Sequence, residues 1–104
     1  MRTDQAPWDL DRDQRTATRG EASVRLTPIE WRLLGALLEA QGRICSRSAL
    51  LDCAHAGSFR DVCDRTIDIH IRSLRRKLAA VNPEGATIES VYGQGYRLGP
   101  HVPS

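Results

Sequence analysis

Aromatic residues are scarce in this chain, which has two tryptophans, two tyrosines and one phenylalanine among its 104 residues. A chain of this length is expected to form one domain, and with so few aromatic residues its core should be modest. Long apolar runs are missing too, because the longest, Leu33 to Leu38, is far too short to cross a bilayer. No charged-then-apolar segment opens the chain as a secretory signal would. These absences argue against a membrane partner and predict a cytoplasmic protein.

The sequence also lacks the residue sets of a metal site or an active site. Its three cysteines, Cys45, Cys53 and Cys63, are odd in number and form no CxxC pair. We interpret them as reduced thiols with the role of small hydrophobic residues, rather than as a disulfide or a metal site. No nucleophile with a base at suitable spacing and no tetrahedral ligand set is recognisable. The sequence therefore predicts no enzyme, no metal and no cofactor.

Charge is distributed unevenly along the chain. The net charge of +2, from 15 basic and 13 acidic residues, does not by itself indicate nucleic acid. Residues 1–26 carry five basic and five acidic side chains, so the excess of positive charge lies downstream. It concentrates in residues 65–78, where five basic side chains accompany a single acid, Asp68. Such local concentration is typical of a nucleic-acid-binding surface.

Residues 65–78 have the periodicity of a helix with two different faces. At about 100° per residue, four apolar residues fall within about 60° of one another, as expected for a face that packs on a core. This inner stripe consists of Ile67, Ile71, Leu74 and Leu78. The outer stripe, on the opposite side, consists of Arg65, Ile69, Arg72 and Arg76. An isoleucine among arginines indicates an apolar partner, either a thymine methyl group or the loop before the helix.

The segment before this helix predicts a small sheet followed by a helix. Three short stretches favour antiparallel strands: residues 8–10 and 22–26 alternate between polar and apolar side chains, and residues 14–18 are polar but contain two threonines. Thr27 is a suitable N-cap, Pro28 fits the first helical position, and Glu30 can complete a capping box. We expect Gly42 to end the helix in the left-handed conformation.

Two further elements complete the predicted order. Ser46 caps a second helix over about residues 47–54, and the loop 55–63 separates it from the basic helix. Residues 87–98 predict a hairpin whose tip is Gly93-Gln94-Gly95. We interpret these glycines as turn residues, because a nucleotide-binding loop would need another spacing and a following helix. The predicted fold is α+β: a winged helix-turn-helix with an N-terminal antiparallel sheet, three helices and a C-terminal wing.

Four segments resemble successive signatures of the OmpR/PhoB-type effector domain, the DNA-binding output half of many bacterial two-component response regulators. They are residues 26–34 (LTPIEWRLL), 42–47 (GRICSR), 64–78 (DRTIDIHIRSLRRKL) and 91–97 (VYGQGYR). The wing and the start of the basic helix look most like the BaeR subgroup. The resemblance implies a domain over residues 8–100, with 1–7 as a linker remnant or disordered terminus and 101–104 as a tail.

In this family the third helix lies in the major groove and the wing lies on the neighbouring backbone or minor groove, so the resemblance implies sequence-specific binding of double-stranded DNA. The implied DNA-binding residues are Arg65, Thr66, Asp68, Ile69, His70, Arg72, Ser73, Arg75, Arg76, Lys77, Ser90, Tyr92, Gln94 and Arg97. Arg75 and Lys77 would act as phosphate clamps. Asp68 would orient Arg72, one turn later, rather than accept from cytosine. His70 would either donate to a phosphate or be satisfied within the protein.

Two positions depart from the family pattern. Ser73 stands where related sequences often have a basic residue. Tyr92 stands where many have the arginine that enters the minor groove, and it cannot supply the charge that a narrow groove attracts. Tyr92 could instead stack on a sugar or donate to a phosphate, with Gln94 or Arg97 sharing the role. Ser90 can reach a phosphate from the base of the hairpin.

The resemblance also implies partners. The family usually binds direct repeats as head-to-tail pairs and contacts RNA polymerase through the segment corresponding to loop 55–63. The 104 residues leave no room for the receiver domain that usually precedes this module. We therefore expect either an excised domain or a regulator that works without phosphorylation. The alternative function, a winged-helix module for protein–protein contact, would predict a less basic third helix and a more apolar exposed surface.

Overall fold

The computed structural model describes residues 9–19, 21–56, 62–81 and 88–99. The linker predicted for residues 1–7, the tail 101–104 and the centre of the loop 55–63 lie outside the described residues. In chain order the described elements are β1 (Asp9–Asp11), β2 (Thr16–Arg19), β3 (Ala22–Arg25), α1 (Pro28–Glu39), α2 (Arg47–Ala56), α3 (Asp64–Val81), β4 (Ile88–Val91) and β5 (Gly95–Leu98). The predicted winged helix-turn-helix order is confirmed.

The N-terminal sheet is antiparallel, with strand order β1-β2-β3. Its second strand begins at Thr16, two residues after Gln14, where the polar second stretch of the predicted sheet begins. The cause is local, because the Asp11 carboxylate accepts hydrogen bonds from the amides of Asp13 and Gln14 at 3.0 and 3.1 Å. This side-chain bonding holds the segment as a turn that competes with the strand.

Helix α1 begins with the predicted capping box. The Thr27 hydroxyl accepts from the Glu30 amide at 3.2 Å, and Glu30 Oε1 accepts from the Thr27 amide at 2.9 Å. The helix ends before Ala40, and two residues then adopt positive φ, Gln41 at 54° and Gly42 at 89°. The left-handed Gly42 is confirmed, and Gln41 joins it there.

Helix α2 is capped as predicted. Ser46 Oγ accepts from the Ala49 amide at 3.0 Å. The helix runs to Ala56, two residues beyond the predicted end. No helix among the described residues is long and apolar enough to cross a membrane.

One core joins the helices to both sheets. Its buried hydrophobic residues are Ala17, Leu26, Ile29, Leu33, Leu34, Leu37, Leu50, Ala54, Val62, Ile67, Ile71, Leu74, Leu78, Ile88, Tyr96 and Leu98. Burial of each large aliphatic side chain stabilises the fold by about 1.5–3 kcal/mol. The inner stripe of α3 lies wholly in this core, which leaves the other side of the helix facing solvent.

The hairpin β4–β5, with its turn 92–94, is called the wing below. Its strands pair from Ile88 with Leu98 to Val91 with Gly95, and the Gln94 amide donates to the Val91 carbonyl at 2.9 Å. An isolated bridge joins its base to the link between α1 and α2: Cys45 and Tyr96 exchange two backbone hydrogen bonds of 2.7 and 2.9 Å. This docking was not predicted from the sequence.

Candidate nucleic-acid interface

The outer stripe of α3 is exposed along the helix. Arg65, Arg72 and Arg76 all face solvent, and Ile69 is 57% exposed. The opposite face is buried because its aliphatic residues pack in the core. The prediction of a two-faced basic helix is therefore confirmed, although α3 extends from Asp64 to Val81 rather than over 65–78. The result is a cationic ridge with one apolar side chain in its centre.

Thr66 is engaged at the start of this helix. Its hydroxyl accepts from the Cys63 amide at 2.8 Å and lies 3.0 Å from the Cys63 carbonyl, to which it donates. The Ile67 amide also donates to that carbonyl at 2.9 Å. These bonds shape the first turn of α3, so the Thr66 side chain serves the helix start.

Ser73 and Lys77, two of the implied DNA-binding residues, each have a partner within the protein. The Ser73 hydroxyl donates to Glu30 Oε2 at 2.7 Å, and the Lys77 ammonium donates to Glu30 Oε1 at 2.6 Å. Glu30 is only 2% exposed. Burial raises its pKa, but the bonds from Lys77, the Thr27 amide and Ser73 outweigh that effect and hold the pKa below its ordinary value. Both residues therefore tie α3 to α1.

Asp68 also has a different partner from the one predicted. Its carboxylate pairs with Arg47 of α2, with Nε–Oδ1 at 2.9 Å and Nη2–Oδ2 at 3.0 Å, and the Tyr96 hydroxyl donates to Oδ1. The expected orientation of Arg72 by Asp68 is thus wrong, because both carboxylate oxygens accept from Arg47 and the described residues include no hydrogen bond between Asp68 and Arg72. The local spacing of one helical turn was a poorer guide than the tertiary approach of α2.

The protonation states suit this network. The Arg47 hydrogen bond is the main cause that lowers the pKa of Asp68; desolvation raises it, and the bond from Tyr96 lowers it further. Burial and the bond to Asp68 raise the pKa of Tyr96, so the phenol keeps its proton and can donate. Sequence reasoning missed Arg47 as a site residue. The sequence held one indication of it, because Arg47 is the last residue of segment 42–47, which resembles a family signature.

The wing presents polar side chains rather than free charge. Tyr92 is fully exposed at its tip, and Ser90 and Gln94 are exposed beside it. Arg97 pairs with Glu89 across the hairpin at 2.9 Å, with both side chains partly exposed. An open groove of about 600 Å³ lies between the wing and the start of α2, where Arg47 lines it.

Two flanking residues of α3 are half-buried. His70 borders the inner stripe, as predicted. The buried Nε of Arg75 has no hydrogen-bond partner within the described part of the chain. In the loop 55–63, His55 Nε2 lies 2.9 Å from the Val62 carbonyl oxygen, while residues 57–61 are outside the described ranges.

Comparison with known proteins places these features among transcriptional regulators. Residues 20–98 match a family model described as transcriptional regulatory protein, C terminal. Transcriptional regulatory protein BaeR of Escherichia coli O6:H1 is 41% identical over 93 residues, which cover 89% of this chain and 38% of that protein. The chain therefore spans well under half the length of this curated relative.

Solved structures share the fold. The C-terminal domain of the nisin resistance regulator NsrR superposes with a TM-score of 0.78 at 24% identity, covering 89% of this chain and 92% of that one. The DNA-binding domain of Klebsiella pneumoniae RstA, solved in complex with the RstA box, has a TM-score of 0.71 at 28% identity. That match covers 91% of this chain and 93% of the RstA chain.

Proposed function

The chain belongs to the family of C-terminal domains of OmpR/PhoB-type transcriptional regulatory proteins, and on that premise we propose that it binds double-stranded DNA sequence-specifically to control transcription. The observation that carries the proposal is the exposed outer stripe of α3, three arginines around Ile69, opposite a fully buried face. The major groove is wide enough to admit such a helix. A protein–protein module would not need this concentration of arginine.

In the proposed complex, α3 enters the major groove by its outer stripe. Arg72 reads a guanine edge, for which the guanidinium supplies two parallel donors. Arg65 and Arg76 reach phosphates or further guanine edges. Ile69 contacts a thymine methyl group, which explains an apolar side chain at 57% exposure between cations. His70 and Arg75, on the flanks, contact the backbone and contribute affinity without reading sequence.

The wing supplies the second contact. We assign Tyr92 and Gln94 to the adjacent backbone or minor groove, with Ser90 at a phosphate nearer the hairpin base. The open groove between the wing and α2 is where we place the sugar–phosphate strand. Arg97 contributes less than its charge suggests, because Glu89 partly neutralises it. Tyr92 interacts by stacking or by its hydroxyl, which depends less on salt than an arginine contact would.

Family membership extends the proposal to partners. We propose binding to direct repeats as a head-to-tail pair, contact with RNA polymerase through loop 55–63, and action in the cytoplasm, where bacterial DNA lies. Titration of duplexes carrying one or two copies of a selected site tests the pairing. A higher affinity per site for the duplex with two copies than for the duplex with one copy supports pairing. Independent binding at every spacing contradicts it.

The proposed function is tested on a site selected from a random DNA pool. Arg72→Ala should weaken specific binding by about 1–3 kcal/mol and leave random DNA much less affected. Arg76→Ala should weaken both and lower the slope of log affinity against log salt by about 0.9, the loss of one phosphate contact. Arg12→Ala, an exposed charge in the β1–β2 turn, is the matched control and should change neither. Gel-shift titrations at several salt concentrations measure all three.

Two results would contradict these assignments. Equal losses for Arg72→Ala on selected and random DNA would remove its base-reading role. A wild-type protein that enriches no sequence from the pool, and binds every duplex alike, would remove sequence-specific recognition.

A further inference from the structure

We propose that Asp68, Arg47 and Tyr96 form a positioning network that holds the wing at a fixed angle to α3, so that both elements reach one duplex together. The inference rests on the proposed DNA binding, since it concerns how two contact elements are kept in register. Asp68 is then a positioning residue and reads no base. Its carboxylate is directed to α2 and the wing instead of the DNA major groove.

The network joins three separate elements at one carboxylate. Arg47 of α2 binds both carboxylate oxygens of Asp68 at 2.9 and 3.0 Å, and Tyr96 of β5 donates to Oδ1. The planar fork of a guanidinium fixes direction as well as distance in such a two-bond pair. Because both oxygens are engaged, the Asp68 side chain has a defined orientation on α3. The wing can therefore take its own orientation from it.

The backbone fixes only the base of the wing. Cys45 and Tyr96 exchange two backbone hydrogen bonds, and Gly95 lies so close that an added Cβ would stand 2.2 Å from the Cys45 carbonyl oxygen. These two backbone bonds can open transiently, and each opening lets the wing swing away from α3. Within the described ranges, the Tyr96–Asp68 bond is the only hydrogen bond between the wing and α3. Together with the buried side chains of Ile88, Tyr96 and Leu98, this bond resists the opening of the wing.

A competing explanation is purely electrostatic. An uncompensated carboxylate on α3 would repel DNA phosphates, and Arg47 would serve only to neutralise it. Asp68→Asn changes charge and geometry together, so it cannot separate the two explanations. Tyr96→Phe removes one hydroxyl, keeps the ring in its buried position and leaves every charge in place. It isolates the positioning effect.

The first measurement uses the free protein. Amide hydrogen exchange of Tyr96→Phe should be about tenfold faster than wild type at Cys45 and Tyr96, as expected for the loss of one hydrogen bond to a charged group. Exchange at Leu37, in the core of α1, should not change. Arg47→Lys keeps the charge of a partly exposed residue but removes the two-bond pair, so it should show the same pattern. It replaces Tyr96→Phe in this experiment if that variant does not fold. Unchanged exchange at Cys45 and Tyr96 in the folded variants would overturn the inference.

The second measurement is a pair of double-mutant cycles on the selected DNA site. Tyr96→Phe and Tyr92→Ala should be non-additive, because both remove the same wing contact. The double variant should bind the DNA site no more weakly than the more impaired of the two single variants. Tyr96→Phe and Arg76→Ala should be additive, because Arg76 lies two helical turns beyond Asp68. Additive losses in the first cycle would overturn the inference.

One control substitution tests the effect of charge alone, and the absence of DNA binding can be told apart from the absence of positioning. Asp52→Asn, an exposed change of the same charge on α2, should leave exchange at Cys45 and Tyr96 unchanged, whereas Asp68→Asn should accelerate it. Equal effects of the two substitutions would overturn the inference in favour of charge alone. If the wild-type protein enriched no DNA site, the proposed function would fall, while the exchange experiment would still decide whether the network positions the wing.

Discussion

At the scale of single residues, Glu30 serves two helices with one carboxylate. It closes the capping box of α1 through the Thr27 amide and also accepts hydrogen bonds from Ser73 and Lys77 of α3. A carboxylate that is 2% exposed is stable as an ion only with such partners. Lys77 lies in a basic run, yet its ammonium group ties two helices together.

Lys77→Ala is consequently expected to lower stability more than DNA affinity. The substitution leaves Glu30 buried without its cation, which should lower the free energy of unfolding by about 3 kcal/mol. This is the low end of the range for buried ion pairs, because Lys77 keeps some solvent contact. Urea denaturation measures the change in the free energy of unfolding. Arg76→Ala removes the same charge from the neighbouring, exposed position and should change that free energy by about 0.5 kcal/mol or less. Equal destabilisation by both would contradict the tether.

At the scale of elements, the wing uses two glycines differently. Gly93 has a φ of 74° in the turn, and nothing lies within 4 Å of where its Cβ would be. Gly95 has a φ of 140° and also needs the close approach to the Cys45 carbonyl that docks the wing. The first therefore provides turn geometry, and the second provides both geometry and space.

Alanine at the two positions should separate these requirements. Gly93→Ala is expected to cost about 1–2 kcal/mol, the strain of a side chain in left-handed backbone. Gly95→Ala should cost more, because strain is joined by a backbone clash that displaces the wing from the α1–α2 link. Thermal denaturation compares the two losses. Similar midpoints for both variants would show that the docking of the wing contributes little to stability.

At the scale of the whole molecule, acid should weaken the fold through Glu30 and Asp68. Both have pKa values below the ordinary ones, which are about 4.3 and 3.9 in an unfolded chain. A carboxyl whose pKa is depressed on folding stabilises the folded state above its unfolded pKa. That contribution is lost as the pH falls through the folded pKa. The free energy of unfolding should therefore decline below about pH 4.5.

Glu30→Gln provides the comparison for this pH dependence. At pH 7 the variant should be less stable than wild type, because an amide pairs less well with the Lys77 ammonium. The difference should shrink on acidification, since wild-type Glu30 then becomes protonated and neutral as well. Urea denaturation at several pH values between neutrality and pH 3 follows it. A difference independent of pH would remove Glu30 as a source of acid sensitivity.

Much of the fold could be predicted because its signals are local. The inner stripe of α3, with Ile67 and Leu78 at its ends, follows from helical periodicity, and the capping box follows from three adjacent residues, Thr27, Pro28 and Glu30. The exposure of the outer stripe follows from the same periodicity. Boundaries were less predictable, as in β2, where bonding by the Asp11 side chain delayed the strand. Which of these residues touch DNA stays a prediction.

The sequence by itself determined the order of elements, the two faces of α3 and the family, because each depends on neighbours along the chain. Only the tertiary structure decided the partners of the polar groups. Lys77 meets Glu30 across 47 residues, and Asp68 meets Arg47 and Tyr96 across 21 and 28 residues. Such pairs become neighbours only when the helices pack. Packing therefore separates the basic side chains that face solvent from those that hold the domain together.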